Sequence, residues 1–401
     1  MRIAYVCADP GIPVFGCKGC SVHVQEVLRE FVRRGHSVDL LAMRTGGDVP
    51  ADLADVRVHL IPVAAAADRS RREVALHNAN RAVRELLSTL GPFDLVYERH
   101  ALFASAAMPW SAETDTPGVL EVNAPLLAEQ AKYRGLAHDD LALAAARESL
   151  RAAGTVVAVS HSVAQYVREL RGSHEGVHVV PNGVDPRRFD KVPRRGRQAE
   201  EFTIGFLGTL KPWHGVDVLL DAFELVHRWS PGARLLIVGD GPQRDALQRR
   251  AGELLGDAGS RVEFVGAVAP DDVPRLLARM DVGTAPYADA QDCYFSPLKV
   301  LEYMAAGLPV VASDAGQVRE MVAHERTGLL VAPGDAAALA VALLTVADDP
   351  ALCERFGTAA RDAVLQRFTW QGVVDCVLRL AGVGARAEAD AALAAAPLAN
   401  L

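Results

Sequence analysis

The strongest constraint on this fold is an alternation of apolar runs and amphipathic stretches that continues for half the chain and then starts again. Ile3–Ala8 is a continuous apolar run of the kind a parallel strand buries on both faces. Ser21 reads as a helix N-cap, and Val24, Val27, Leu28, Phe31 and Val32 then recur at helical spacing on one face. Gly35 reads as the C′ residue ending that helix, and Val38–Ala42 is the next strand. Strand, helix and parallel strand make a βαβ unit, the start of a doubly wound sheet. Further strands are expected at Val58–Val63, Asp94–Tyr97, Val119–Val122, Thr155–Val159 and His178–Val180. The pattern restarts with a strand at Phe202–Phe206 and a helix carrying Val218, Leu219, Phe223 and Val226. Strands at Arg234–Val238, Val262–Phe264, Val282–Ala285 and Val310–Ala312 follow. The fold class is therefore α/β, with two consecutive doubly wound, Rossmann-like domains.

A linker signal separates the two halves. Pro186–Gln198, PRRFDKVPRRGRQ, holds two prolines and six basic residues against one acidic. The expected division is a first domain over 1–190 and a second over 191–369. A last helical pattern at 370–381 is free to pack back on the first domain. The Ala-rich stretch 382–401 has no apolar periodicity and is expected to be poorly ordered.

Composition removes several function classes. Acidic residues outnumber basic ones, 50 to 42, for a formal charge of −8. A general nucleic-acid binder leans the other way. No apolar run approaches the ~20 residues of a membrane span, and the N-terminus enters a strand without the regions of a leader. A soluble cytoplasmic protein is the expectation. Arg69, Arg71, Arg72, Arg81 and Arg84 would suit peripheral contact with a membrane surface or, equally, a solvated face. Cys17 and Cys20 form a CxxC with no second pair at a zinc-like spacing. It lies in a loop well beyond its strand, so a tight turn of small residues is preferred to a redox or metal role.

The stretch with the most chemistry is 294–313, YFSPLKVLEYMAAGLPVVAS. Ser296 and Pro297 lead into a helix that carries Lys299 at its start and Glu302 one turn on; Gly307 ends it and an apolar strand follows. A helix N-terminus offers unpaired N–H groups and a positive dipole end, which favour phosphate. A carboxylate one turn in can accept hydrogen bonds from ribose hydroxyls. Phosphate beside ribose is the signature of a nucleotide. In doubly wound domains ligands bind outside the C-terminal ends of the strands, and the other unusual loops fall there. These are DPGIPVFGCKGC (Asp9–Cys20), GTLKPWHG (Gly208–Gly215) and GDGP (Gly239–Pro242). None is a GxGxxG fingerprint or a P-loop.

Together with SVHV (Ser21–Val24), RGHSV (Arg34–Val38), VYERH (Val96–His100), EVNAPL (Glu121–Leu126), VSHS (Val159–Ser162), VPNGVD (Val180–Asp185) and GLLVAPGD (Gly328–Asp335), these strings come in one order. In that order they resemble the family-four, group 1 retaining glycosyltransferases of the GT-B fold. The resemblance covers almost the whole chain. It implies two Rossmann-like domains facing each other across a cleft, and a nucleotide diphosphate sugar donor held mainly by the second.

The resemblance also implies roles. Glu302 matches the family glutamate that binds the donor ribose. The backbone around Ser296, Pro297 and Leu298 matches the diphosphate cradle, with Lys299 beside it. Lys211, or His214 at the usual lysine position, would neutralise the diphosphate and stabilise the leaving group. Gly16 and Gly19 would bring the first domain's loop close to the donor. The family's active-site histidine aligns best with Arg99, with His100 next, and Arg99 could bind a phosphate or carboxylate on the acceptor. Asn123 and Glu121, at a strand end, are acceptor-side candidates. No carboxylate pair or ligand cluster is placed for a metal, so no metal and no cofactor are expected, with lysine and helix dipole in their stead.

The chain also departs from the family pattern. The motif Glu, seven residues, Glu begins here with Tyr294, with Asp289 or Asp292 as possible substitutes. The family arginine of the GTLKPWHG loop is Thr209. The leading reading is a retaining hexosyltransferase in which the leaving phosphate takes the acceptor's proton. A GT-B nucleotide-sugar 2-epimerase and a non-catalytic nucleotide-sugar-binding protein are the alternatives. The acceptor, the sugar, the nucleotide and the oligomeric state are not legible.

Overall fold

The computed structural model describes residues 1–190, 201–289 and 293–383. Linker residues 191–198, Asp292 and the tail from 384 lie outside the described residues.

The first domain is one seven-stranded parallel sheet in the order β3-β2-β1-β4-β5-β6-β7. Its strands are β1 (Arg2–Cys7), β2 (Ser37–Ala42), β3 (Arg57–Leu60), β4 (Leu95–Arg99), β5 (Gly118–Val122), β6 (Thr155–Ala158) and β7 (Val177–Val179). Ile3 to Val6 have no exposed surface, as the unbroken apolar run demands. Helix α1 (Gly19–Arg33) follows β1 and buries Val24, Val27, Leu28 and Phe31. It starts two residues before the expected N-cap: Lys18 is the cap residue, and Ser21 is fully buried in the first turn. A glycine at position 19 can enter the helix where the loop arrives, so Ser21 is free to be packed. At the other end Gly35 has φ 73°, the left-handed conformation of a C′ glycine. Helix α2 (Asp139–Ala152) precedes β6.

The second domain repeats the plan with six parallel strands in the order β10-β9-β8-β11-β12-β13. They are β8 (Phe202–Leu207), β9 (Ala233–Val238), β10 (Val262–Gly266), β11 (Val282–Ala285), β12 (Val310–Ser313) and β13 (Gly328–Val331). The last was not expected as a strand. It is an edge strand of only four residues, GLLV, three of them half-buried. Alternation along β8 splits two cores. Phe202, Ile204 and Phe206 pack with helix α3 (Val216–Trp229) on one face. Leu207 joins the other core, built around helix α4 (Leu298–Ala305). The fully buried Tyr303 ties α4 to the sheet: Leu207 N donates to its hydroxyl at 2.6 Å, and that hydroxyl donates to Thr284 O at 3.2 Å.

The division between domains falls at Pro181/Asn182, not at 190/191. Composition placed it at the basic stretch, but packing decides otherwise. Asn182 bonds Ser296, and Phe189 lies in the second domain's core. The chain leaves the second domain after Trp370, and the rest of helix α5 (Trp370–Leu380) belongs to the first domain. There Arg34 bonds Gln371 O and Asp375, each at 2.8 Å, and Thr155 Oγ1 donates to Leu380 O at 3.3 Å.

Candidate active site

In each sheet the winding reverses next to the first strand, between β1 and β4 and between β8 and β11. Ligands of doubly wound sheets bind at that point, beyond the C-terminal strand ends. The named residues divide between these two places.

In the second domain the turn before α4 is fixed from below. Asn182 N donates to Ser296 Oγ at 3.1 Å and Asn182 Nδ2 donates to Ser296 O at 2.9 Å. Pro297 is the cap residue of α4 and supplies no side-chain cap, so the first-turn amides of Leu298 and Lys299 find no side-chain acceptor there. Glu302 is one turn in, with Arg188 Nη1 at 3.5 Å from its carboxylate. Arg188 Nη2 also donates to Pro270 O at 2.6 Å. Asn182 and Arg188 were missed at the sequence level. Asn182 stood in the quoted PNGVD string, but its partner lies 114 residues away.

The loop after β8 behaves differently from expectation. Lys211 lays its ammonium 4.7 Å from the Trp213 ring centroid, a cation–π contact on a half-buried side chain. Thr209 is exposed. His214 is ringed by Phe206, Tyr287 and Phe295, and its Nδ1 meets Thr209 O. Burial, with the charges of Lys299 and Lys211, pushes the imidazole down to about 3, so it is neutral at pH 7. Nδ1 therefore carries the proton it donates to Thr209 O. In this state the ring carries no charge to set against a diphosphate.

Lys299 is the cation that burial singles out. It is 8% exposed, and its Nζ has no hydrogen-bond partner among the described residues. Nζ lies 4.1 Å from the Phe206 ring centroid and 5.6 Å from that of Tyr287. It also lies beside Gly208, the first residue after β8; a Cβ there would come within 2.9 Å of Nζ. Tyr294, at the family's glutamate position, is half-buried and makes an edge contact with Phe295, centroids 5.7 Å apart. Asp289 is exposed.

In the first domain the centre is Glu121, 3% exposed on β5. One oxygen accepts from Arg99 Nη1 at 3.0 Å and from Asn123 Nδ2, and meets His23 Nε2 at 2.6 Å; the other accepts from the Tyr97 hydroxyl at 2.5 Å. Burial alone would raise this carboxyl, but His23, Arg99 and Tyr97 hold it down to about 2. Both oxygens thus accept from protein donors. Arg99 pairs with Glu121 through Nη1. His100 is 5% exposed, and burial pushes it down to about 4. The loop before α1 is held by Gln25, whose amide donates to Val14 O at 2.8 Å and to Gly16 O at 2.9 Å. Gly16 is half-buried under Pro13; Gly19 is exposed at the start of α1.

The arginines read as a basic face are mostly matched. Arg71 pairs with Asp68 at 3.6 Å, Arg81 with Glu85 at 3.5 Å, and Arg84 with Glu113. Among the described residues no single helix is long and apolar enough to cross a membrane. No three His, Cys, Asp or Glu side chains converge among them as a metal site would require.

Two parallel-sheet α/β domains of this order make up the GT-B fold. Residues 18–188 match the model of "Glycosyltransferase Family 4", and residues 201–349 match that of "Glycosyl transferases group 1". The chain is 30% identical over 303 residues to glycogen synthase of Mycobacterium tuberculosis, covering 74% of this chain and 70% of that one. It is 34% identical over 244 residues to the GDP-mannose-dependent alpha-(1-6)-phosphatidylinositol monomannoside mannosyltransferase of the same organism, covering 57% of this chain and 62% of the relative. The fold matches sucrose-phosphate synthase from Thermosynechococcus elongatus with a TM-score of 0.74, at 21% identity over 95% of this chain and 98% of that one. The chain belongs to the group 1, family 4 glycosyltransferases.

Proposed function

We propose that this chain moves a hexose from a nucleoside diphosphate sugar to an acceptor hydroxyl, with retention at the anomeric carbon and without a metal ion. The observation that carries the reading is the start of α4. The Ser296–Leu298 turn, Lys299 and Glu302 lie within seven residues, at the C-terminal ends of the strands where the winding reverses. Amides and a lysine suit the diphosphate, and a carboxylate suits ribose hydroxyls. The bond from the anomeric carbon to the diphosphate oxygen breaks as the bond to the acceptor oxygen forms on the same face. The acceptor's proton passes to the leaving phosphate. The developing charge is then met by preorganised donors within the protein.

The relatives named above include one described as GDP-mannose-dependent, which supports a sugar-nucleotide donor. A cytoplasmic site of action fits such a donor. The test is incubation with UDP-glucose and GDP-mannose, with and without short glucans and lipid-linked mannosides. Released nucleoside diphosphate and an α-configured product, unaffected by EDTA, are expected. Donor binding without turnover under any acceptor sinks the transferase reading, and epimerised free sugar would favour the 2-epimerase.

A further inference from the structure

We propose that Lys299 is the residue that receives the donor's diphosphate as a cation, and that it takes up a proton in doing so. The inference rests on the reading that the second domain binds a nucleoside diphosphate sugar.

Lys299 is a cation buried where no hydrogen-bond acceptor meets it among the described residues. An ammonium wants three hydrogen-bond acceptors. Lys299 Nζ has none among the described residues, and the side chain is almost wholly buried. What surrounds it is aromatic: the face of Phe206 at 4.1 Å and Tyr287 at 5.6 Å. A buried polar group without a partner is costly, and a native structure that keeps one needs a reason for it. Here the surroundings point to an anion. Lys299 belongs to the first turn of α4, beside the amides that face a phosphate. Its Nζ rests against Gly208, at the C-terminal end of β8, where the absence of a side chain keeps the space open. A flexible four-carbon stem lets the ammonium move from the ring faces to a ligand.

Burial, more than its charged neighbours, decides its state. From the β8 loop, His214 is neutral and Lys211 is cationic; from the β11–α4 segment come Cys293 and the Tyr287 hydroxyl; from α4 come Glu302 and the Tyr303 hydroxyl. Burial is the largest influence and pushes the Lys299 ammonium down to about 7, with Cys293 and Glu302 opposing it. A diphosphate in contact would raise it again. Binding therefore draws a proton from solvent, and affinity falls as pH rises above neutrality. Of the other cations on these elements, Lys211 is stacked on Trp213, and Arg188 faces Glu302.

Calorimetric titration of the full chain with UDP-glucose and with GDP-mannose tests this, since neither sugar nucleotide titrates near neutrality. Runs at pH 7 in two buffers of different ionisation enthalpy report proton uptake, which should be on the order of half a proton for a group titrating near 7. Lys299→Met should abolish the uptake and weaken binding tenfold or more, while its melting temperature stays level or rises. Lys299→Arg should retain part of the affinity but take up no proton. Binding by the wild type that Lys299→Met leaves unchanged in affinity and in proton uptake overturns the proposal and leaves the donor reading intact. No binding of either sugar nucleotide by the wild type overturns the donor reading, and this proposal with it.

Discussion

The two domains share one architecture, and each buries a charge at the C-terminal side of its sheet, yet they treat those charges in opposite ways. In the first, the Glu121 carboxylate is saturated by His23, Tyr97, Arg99 and Asn123. In the second, the Lys299 ammonium is left without a partner among the described residues. A saturated charge is scaffold: it fixes the groups that surround it and has nothing to offer a ligand. An unsaturated one is unstable until something of opposite sign arrives. On the proposed donor reading, the anion-handling chemistry falls to the second domain and a positioning task to the Glu121 cluster.

The comparison can be broken most decisively at Lys299. Lys299→Met should lower transferase turnover by about 100-fold or more, the scale of losing one donor to a developing oxyanion, without lowering stability. Steady-state rates on the donor beside a thermal melt check both halves. An equal loss of stability would make Lys299 scaffold too.

Glu121→Gln should show the reverse pattern. Removing one member of a buried charged cluster costs about 3 kcal/mol, a fall of roughly 6–12 °C in melting temperature for domains of this size. Donor affinity should be unchanged, so melting and donor titration together decide it.

Glu98 supplies a control within the first domain. It is 1% exposed, its Oε2 has no partner among the described residues, and burial pushes it up to about 8. It resolves its burial by staying protonated. Because its folded value lies above the unfolded one, stability is lost as pH rises from about 5 through 8, by on the order of 2–4 kcal/mol. Melting curves across that range should slope downward for the wild type and flatten for Glu98→Gln.

The smallest effect is expected at Asn182→Ala. Losing the bond from Nδ2 to Ser296 O should loosen the turn before α4 by about 1 kcal/mol. That should raise the donor KM about fivefold with kcat little changed.

How far the sequence could be read follows from the range of the interactions. The two βα alternations were legible because the periodicity of a strand or helix is local. The run from Ser296 to Glu302 was legible because seven consecutive residues hold the whole motif. The Glu121 cluster was not, since His23 and Glu121 come from different elements far apart in the chain and no spacing announces them. The burial of Lys299 was equally hidden, because the ring it covers, Phe206, comes from another strand. The domain boundary was misplaced because a basic, proline-bearing stretch looks like a linker even where Phe189 within it is core.

The return of the chain has a practical consequence. The second domain is an insertion: it is entered at Asn182 and left at Trp370. Val184 and Thr369 pair as a parallel bridge, so its two ends already lie side by side. A fragment of residues 182–370 would thus begin and end at neighbouring points. Such a piece can be excised, circularly permuted or spliced into another host protein without stretching its termini, and it keeps the whole of the α4 site.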